Sequence, residues 1–494
     1  MYSTKNKLVK VEEYTQLLSQ LGNLLYTSNE IQIDSRQVSS GDIFCAYPGG
    51  SVDGRSFISY VTSKSPSVIL YENPYDIDKD ICSFGIKNLQ QYVGVLAANK
   101  HDNPSQKMLT IGVTGTNGKT SISHWLNQAF NQINYKTAII GTTGCGIYPD
   151  VVDLSATTPN PVTLQKLFTD FHEQKVNLVA MEVSSHALHQ GRVNGVHFDS
   201  AIFTNLTQDH LDYHGTFEEY FKAKEQLFYW QGLKHAVINI DDEYGSKLYN
   251  SLVNDNNKEL KIFSCGIDNQ ADIQAQNIKL TLNGMTFDLV FDNQTVSIQT
   301  KVIGLFNVYN LLAVFATLIA HNVSLAEIQV IAKNLTPVVG RMDAIIKPNQ
   351  PLVVVDYAHT PDALEKALST LKEIPHDKLY CVFGCGGNRD KTKRPLMGNV
   401  SFNYADFSYV TSDNPRSENP KDIIEEIVAN ANNQASFTQI ENRKDAIVQA
   451  LANAKSNDIV LIAGKGHETY QEIEGVKHHF SDFEIVNDYY DGKK

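Results

Sequence analysis

The run Thr114-Gly115-Thr116-Asn117-Gly118-Lys119-Thr120-Ser121 places glycines, a lysine and a threonine hydroxyl at the spacing that a triphosphate needs. Glycines let backbone N–H groups close around phosphate oxygens, and the start of a helix adds partial positive charge. Lys119 is placed to neutralise the β and γ phosphates, and the Thr120 hydroxyl to sit on Mg2+. The strict G-x-x-x-x-G-K-S/T pattern is not met, because Val113 stands at its first glycine and the nearest glycines are Gly112 and Gly115. The apolar run Met108 to Val113 reads as a buried strand, and the segment after the loop reads as a helix. Strand, glycine loop and helix in that order predict transfer or hydrolysis of the γ-phosphate of ATP.

Three further side chains fit that chemistry. Glu182 follows Leu178-Val179-Ala180-Met181 and so lies at the tip of a buried strand, where a carboxylate can hold the Mg2+ that bridges the phosphates. His210 also follows a strand end and is a second metal-ligand candidate, although a lone loop histidine is more often structural. Between Phe217 and Phe228 the apolar positions 217, 220, 221, 227 and 228 form one helical stripe, and Lys224 lies in its middle while Lys222 does not. Desolvation there would leave a nucleophilic neutral amine, but from the pattern alone the expectation is that the side chain snorkels to the surface.

The elements that must position these groups follow a parallel-sheet rhythm. From Met108 onward, apolar strands at Thr137–Gly141, Leu178–Val183, Ala201–Asn205 and Ala236–Ile240 alternate with helical segments. Period-two strands occupy about 271–303, followed by a helix from Asn307 to His321. A second alternating series runs through Leu352–Asp356, Leu379–Phe383, Phe407–Thr411 and Ile459–Ala463. Short strand-like runs such as Asp42–Tyr47 precede all of this, and the polar stretch His101–Lys107 reads as a linker. Two α/β series with one phosphate loop imply a site at the carboxyl ends of their strands.

Composition narrows the class. A chain of 494 residues, 42% hydrophobic and 20% charged, suits a globular enzyme of about three domains. A formal net charge of −13 with no basic block argues against nucleic-acid binding. The six cysteines form no C-x-x-C pair, which fits a reducing, cytoplasmic compartment. No signal peptide and no membrane insertion are expected from the polar N-terminus and the lack of a long apolar run.

Seven ordered motifs carry a family resemblance: T-G-T-N-G-K-T at 114–120, M-E-V-S-S-H-A-L at 181–188, T-N-L-T-Q-D-H-L-D-Y-H-G at 204–215, G-R-M-D at 340–343, D-Y-A-H-T-P-D-A-L at 356–364, F-G-C-G-G-N-R-D-K-T-K-R at 383–394 and G-K-G-H-E at 464–468. Together they resemble the Mur ligase family, and within it the branch that adds diaminopimelate. The first 100 residues match least, mainly through Asp34-Ser35-Arg36 and the Gly49–Arg55 turn.

The resemblance implies an α/β, three-domain Mur ligase architecture. It comprises a small N-terminal α/β domain (1–104) for the UDP-sugar, a central P-loop parallel-sheet domain (105–338) for ATP, and a C-terminal Rossmann-like domain (339–494) for the amino acid. The implied activity is ATP-dependent addition of meso-diaminopimelate to UDP-N-acetylmuramoyl-L-alanyl-D-glutamate through an acyl phosphate, in a monomeric enzyme that uses Mg2+. Gly115, Thr116, Asn117, Gly118, Lys119, Thr120 and Ser121 would hold the phosphates, with Asn307, Arg341, Asp356 and His359 completing the ATP site. Thr120, Glu182 and His210 would lie near Mg2+, as would Lys224 once carbamylated to N6-carboxylysine. Ile33, Ser35, Gly50, Ser51, Val52, Thr157, Thr158, Ser184, Gln190 and Arg192 would contact the UDP-sugar-dipeptide, although Ala156 stands where the family commonly has Asn.

Diaminopimelate carries a distal carboxylate beside its second amine. Arg416 offers it a planar fork, Asp413, Asn414 and Glu468 offer acceptors, and Arg389 is placed for the other carboxylate, with Pro415 and Gly464 shaping the site. A lysine-adding ligase and a folylpolyglutamate synthase-like ligase are alternatives in the same chemistry; a nucleotide-gated binding protein or transport ATPase is the alternative from another class.

Overall fold

The computed structural model describes residues 11–492, apart from 51, 78–81, 153, 155, 256, 282–283 and 432–435. Two compact units result: one from residues 1–115, 122–206 and 214–265, the other from 116–121, 207–213 and 266–494.

In the first unit, Ile31–Gln32, Ile43–Ala46, Val68–Glu72 and Ser83–Ile86 form a four-stranded parallel sheet in that order. Successive side chains of Ile43–Ala46 point to opposite faces. Ile43 and Cys45 therefore join the core built with Leu17, Leu89 and Val93, while Phe44 and Ala46 join Ile58 and Val61.

The same unit holds the strands Lys261–Gly266, His235–Asn239, Ser200–Phe203, Leu109–Thr114, Leu178–Glu182, Thr137–Gly141 and Gly144–Ile147, side by side in that order. All of these pairs are parallel except the last. Leu178–Glu182 and Thr137–Gly141 are buried at every residue, as strands covered on both faces must be. Leu109–Thr114 comes first in the chain yet lies between two later strands. Its loop thus leaves the sheet where the strand order reverses, which is where open α/β sheets bind ligands.

In the second unit, Ile273–Thr281, Gly284–Phe291 and Gln294–Thr300 make the antiparallel piece, followed by the helix Leu305–Ala320. A six-stranded sheet follows in the order Asp343–Ile345, Leu352–Asp356, Ile459–Ala463, Leu379–Phe383, Phe407–Thr411 and Phe437–Ile440, parallel except at the first pair. Val354, Phe383 and Leu461 pack on helices carrying Leu364, Leu368 and Ile427. Val353, Val382 and Ile462 face Ile447, Leu451 and Val486. The hairpin Tyr470–Ile473 and Val476–His479 is a separate two-stranded sheet.

All four expected strands of the second series have the observed bounds. The expected linker is corrected: Pro104–Lys107 is a 3-10 turn with Pro104 and Ser105 buried. The Ser105 hydroxyl accepts from the His197 amide at 2.9 Å, a contact that local polarity does not reveal. Among the described residues no helix is long and apolar enough to cross a membrane.

Candidate active site

In the first unit, the strand Leu109–Thr114 ends at Gly115, whose φ is +143°. A Cβ there would lie 1.9 Å from the Thr204 hydroxyl, so only glycine fits. Lys224 does not snorkel. It is 1% exposed, donates from Nζ to the Gly115 carbonyl at 2.7 Å, and lies 4.6 Å from the centroid of the Tyr220 ring. The helix Phe217–Glu225 therefore carries its lysine inward, which corrects the snorkelling that the pattern alone favours.

Glu182 is the last residue of its strand and fully buried. Thr142 donates to it twice, from its amide to Oε1 at 2.9 Å and from its hydroxyl to Oε2 at 3.0 Å. Four carboxylate lone-pair sites minus these two bonds leave capacity for a cation. The Glu182 main chain then orders the next group: its carbonyl accepts from the Thr158 hydroxyl at 2.9 Å. That hydroxyl also accepts from the Ser184 amide at 3.1 Å, and Ser184 caps the helix Ser185–His189. Arg192 donates from Nη1 to the Thr158 carbonyl at 3.1 Å and from Nε to Gln190 Oε1 at 2.8 Å. Thr157 joins through the Thr142 hydroxyl at 3.1 Å. Thr157, Thr158, Ser184, Gln190 and Arg192 are thus brought together.

On the N-terminal sheet, Ser35 is buried and Ile33 half-buried, while Gly50 and Val52 are exposed. Ser51 lies outside the described residues. Burial raises the pKa of the Tyr47 hydroxyl, at the strand end that leads into the Gly50 turn.

In the second unit, residues 116–121 meet 207–213. The Thr207 amide donates to the Thr116 hydroxyl at 3.0 Å, and Asn117 Nδ2 donates to Asp362 Oδ2 at 2.8 Å. Lys119 Nζ donates to the Thr116 carbonyl at 2.8 Å, and Arg341 Nη2 donates to the Thr120 hydroxyl at 3.2 Å. Gly118 has φ +89° and lies against Asn310, whose Nδ2 donates to Asn307 Oδ1 at 2.9 Å. Asn307 in turn donates to the Ile303 carbonyl at 2.8 Å.

His210 adopts the left-handed region at φ +53° and lies 3.3 Å from Asp209. Burial opposes the Asp209 charge, but His210, His359 and Lys119 outweigh it and hold the carboxyl below its ordinary range. Asp356 accepts from the Met342 and Ala358 amides at 2.7 and 2.9 Å, and burial raises its pKa. Its two bonds turn the backbone so that Arg341 lies 4.5 Å from the Tyr357 ring centroid, against the His467 ring on the same tyrosine at 5.3 Å. His359 keeps an exposed surface; the atoms packed on it and the Lys393 charge push its imidazole down.

The third constellation follows Phe407–Thr411. Asp413, Asn414 and Pro415 are buried, and Asn414 Nδ2 donates to Glu468 Oε2 at 2.8 Å. Asp413 Oδ2 is buried with no hydrogen-bond partner among the described residues, and Gly464, at φ +116°, leaves the space in which a Cβ would lie 2.6 Å from it. Arg416 Nη1 and the Arg389 side chain both approach Gly386, at 3.0 and 3.8 Å from where its Cβ would be.

Three family profiles match this chain: "Mur ligase family, catalytic domain" over residues 27–100, "Mur ligase middle domain" over 113–318, and "Mur ligase, glutamate ligase domain" over 340–466. A protein of Chromobacterium violaceum named UDP-N-acetylmuramoyl-L-alanyl-D-glutamate--2,6-diaminopimelate ligase is 43% identical over 98% of both chains. The chain belongs to the Mur ligase family. A Neisseria meningitidis serogroup A protein of the same name is 48% identical over 92% of this chain and 93% of its own. A solved structure of a ligase so named superposes with a TM-score of 0.70 at 35% identity, covering 94% of this chain and 95% of that one.

Within this Mur ligase fold, sequence reasoning missed several groups that hold the expected ones. Thr142 fixes Glu182, Asp362 fixes Asn117, and the fully buried Lys465 donates from Nζ to Asn414 Oδ1 at 3.1 Å and Glu468 Oε2 at 2.8 Å. Lys465 lay within a quoted motif, G-K-G-H-E, and a lysine between two glycines beside an acceptor was its signal. The described residues place Glu182 and Lys224 in the first unit and Thr120 and His210 in the second.

Proposed function

We propose that this chain is an ATP-dependent amide ligase that joins meso-diaminopimelate to the D-glutamate of UDP-N-acetylmuramoyl-L-alanyl-D-glutamate, a cytoplasmic step of peptidoglycan precursor synthesis. The observation that carries this reading is identity of 43% and 48% to ligases of that name, over more than nine tenths of the chain, joined to an Asp413-Asn414-Pro415-Arg416 turn held against Glu468. Three functional modules, 1–104, 105–338 and 339–494, accord with the three matched profiles. A monomer suffices, because each module lies in one chain.

Lys119 and Arg341 supply charge to the transferring γ-phosphoryl group; each now donates to a protein oxygen that a phosphate oxygen would replace. Asn307 meets the adenine. Thr120, Glu182 and His210 would hold Mg2+. The Glu182 carboxylate, with lone pairs left beyond its two bonds to Thr142, is the hard oxygen donor that such an ion takes. When bound, Mg2+ neutralises phosphate charge and lowers the barrier to transfer.

The glutamyl carboxylate takes the γ-phosphoryl group. The substrate amine then attacks the acyl carbon: a C–N bond forms, the C–O bond to phosphate breaks, and the amine loses a proton. Thr157, Thr158, Ser184, Gln190 and Arg192 hold the dipeptide end, while Arg416, Asn414 and Glu468 hold the far end of diaminopimelate. Lys224 acts as a carbamate, formed when its neutral amine adds to CO2 and releases a proton. The buried position and the acceptor at 2.7 Å support this, because a carbamate keeps one N–H for Gly115. NMR with 13CO2 is expected to show one carbamate signal that disappears in Lys224→Arg; a wild-type enzyme that is fully active with no such signal would refute it. The activity itself is tested by mass spectrometry of the UDP-linked product. A mass gain of one diaminopimelate less water supports the reading, and lysine incorporation from an equimolar mixture overturns it.

A further inference from the structure

Arg416 adopts φ +51°. An arginine in the left-handed region is uncommon and persists only where its surroundings over-determine it. Here they do. The Arg416 amide donates to the Glu472 carbonyl at 3.0 Å, and the Glu474 amide donates to the Arg416 carbonyl at 2.7 Å. The same hairpin also holds the side chain, Nε donating to Glu472 Oε2 at 3.1 Å, while Nη1 donates to the Gly387 carbonyl, outside the hairpin, at 2.8 Å. Glu472 is tied to the rest of the site as well, because its amide donates to Asn414 Oδ1 at 2.9 Å. One residue earlier in the strand, Gln471 Nε2 donates to the Asp413 carbonyl at 2.6 Å.

The hairpin contributes little to the core. Ile473 and Val476 are exposed, and Val476–His479 is exposed throughout. Gln471, Glu472 and Glu474 bond instead to the turn 413–416. An isolated, partly exposed ion pair would count for little, but this one is joined to two main-chain bonds and a second bond from the same guanidinium. With Nε on Glu472 and one Nη1 hydrogen on Gly387 among the described residues, the second Nη1 hydrogen and those of Nη2 are left for a ligand.

We infer that Glu472 is a positioning residue for amino-acid selection: it orients Arg416 so that the Nη1/Nη2 edge faces the distal carboxylate of the incoming diamino acid. The inference rests on the proposed role of Arg416. Without the Glu472 carboxylate the guanidinium keeps one side-chain anchor and sweeps about its Cδ–Nε bond, so the second hydrogen bond of a bidentate pair is lost part of the time. Lysine has no distal carboxylate and does not use that edge.

The test is steady-state kinetics of the full-length enzyme with diaminopimelate and with lysine. In Glu472→Ala, KM for diaminopimelate is expected to rise roughly tenfold, the scale of one charge-assisted hydrogen bond. In the same variant kcat and the kcat/KM for lysine should stay within about threefold, which also reports an intact fold. Glu472→Gln, whose amide oxygen still accepts from Nε, should restore KM to within about threefold of wild type. An unchanged KM in Glu472→Ala, or equal losses for both amino acids, overturns the inference. Arg416→Ala, assayed beside them, separates the two levels. Loss of preference there with none in Glu472→Ala refutes only the positioning role, whereas retained preference refutes the reading of Arg416 itself.

Discussion

Gly118→Ala is the substitution whose consequence the geometry sets most tightly. Its φ of +89° is one that L side chains rarely adopt, and leaving the glycine costs roughly 1–2 kcal/mol from that alone. The added Cβ would lie 2.3 Å from Asn310 Oδ1 and 3.2 Å from its Cγ. Asn310 is 6% exposed and bonded to Asn307, itself 2% exposed, so turning it away breaks a bond between buried amides. That loss is worth roughly 1–3 kcal/mol. If only 2 kcal/mol of the total falls on the phosphate-cradling conformation, the ATP Kd rises about 30-fold. Isothermal titration with a non-hydrolysable ATP analogue reads this directly. Gly22→Ala serves as control, because Gly22 has φ +50° and nothing within 4 Å of its would-be Cβ. Its nucleotide affinity should be unchanged. Adding Asn310→Ala to Gly118→Ala removes the overlap, so the two changes should be less damaging together than their sum. A Gly118→Ala protein that binds the analogue within about threefold of wild type, or strictly additive losses, would refute the reasoning.

Two further outcomes are expected. Lys119→Ala removes one preorganised cation from the developing γ-phosphate charge and should lower kcat by about 10²–10³ in a phosphate-release assay; near wild-type turnover contradicts the ATP-site assignment. Burial opposes the Asp199 charge, but the His197 imidazole 3.7 Å away and hydrogen bonds from Lys234 and the Thr110 amide outweigh it and hold the carboxyl at about 2. Its folded value is depressed, so its stabilisation is complete above about pH 4 and disappears as pH falls toward 2, a contribution of roughly 2 kcal/mol. Chemical denaturation from pH 6 to pH 2 should show that loss in the wild type and a flatter profile in Asp199→Asn.

The strands were legible because parallel strands buried on both faces are unbroken apolar runs, and Leu352–Asp356 through Ile459–Ala463 stand out between polar helices and turns. Lys224 was legible as a break in a helical stripe. What holds the site was not. Glu472 lies 56 residues from Arg416, Asp362 lies 245 from Asn117, and Thr142 lies 40 from Glu182. Such partners are chosen by topology, with no local periodicity to mark them. His210 and Arg416 share a second illegible property, a left-handed backbone at a residue other than glycine. Their surroundings impose it, so side-chain type alone does not forecast it. The polar run 101–107 looked like a linker for the same reason, since its burial depends on His197 far along the chain.

The enzyme couples ATP cleavage to one acceptor and one diamino acid. Phosphate release measured with ATP, Mg2+ and UDP-N-acetylmuramoyl-L-alanyl-D-glutamate tests it directly, with meso-diaminopimelate and lysine supplied in parallel. Phosphate should appear at an appreciable rate only when the nucleotide-dipeptide is present, with kcat/KM for diaminopimelate at least about 10²-fold above that for lysine, because lysine leaves the Arg416 charge unpaired. Release that ignores the nucleotide-dipeptide, or comparable kcat/KM for the two amino acids, would contradict it.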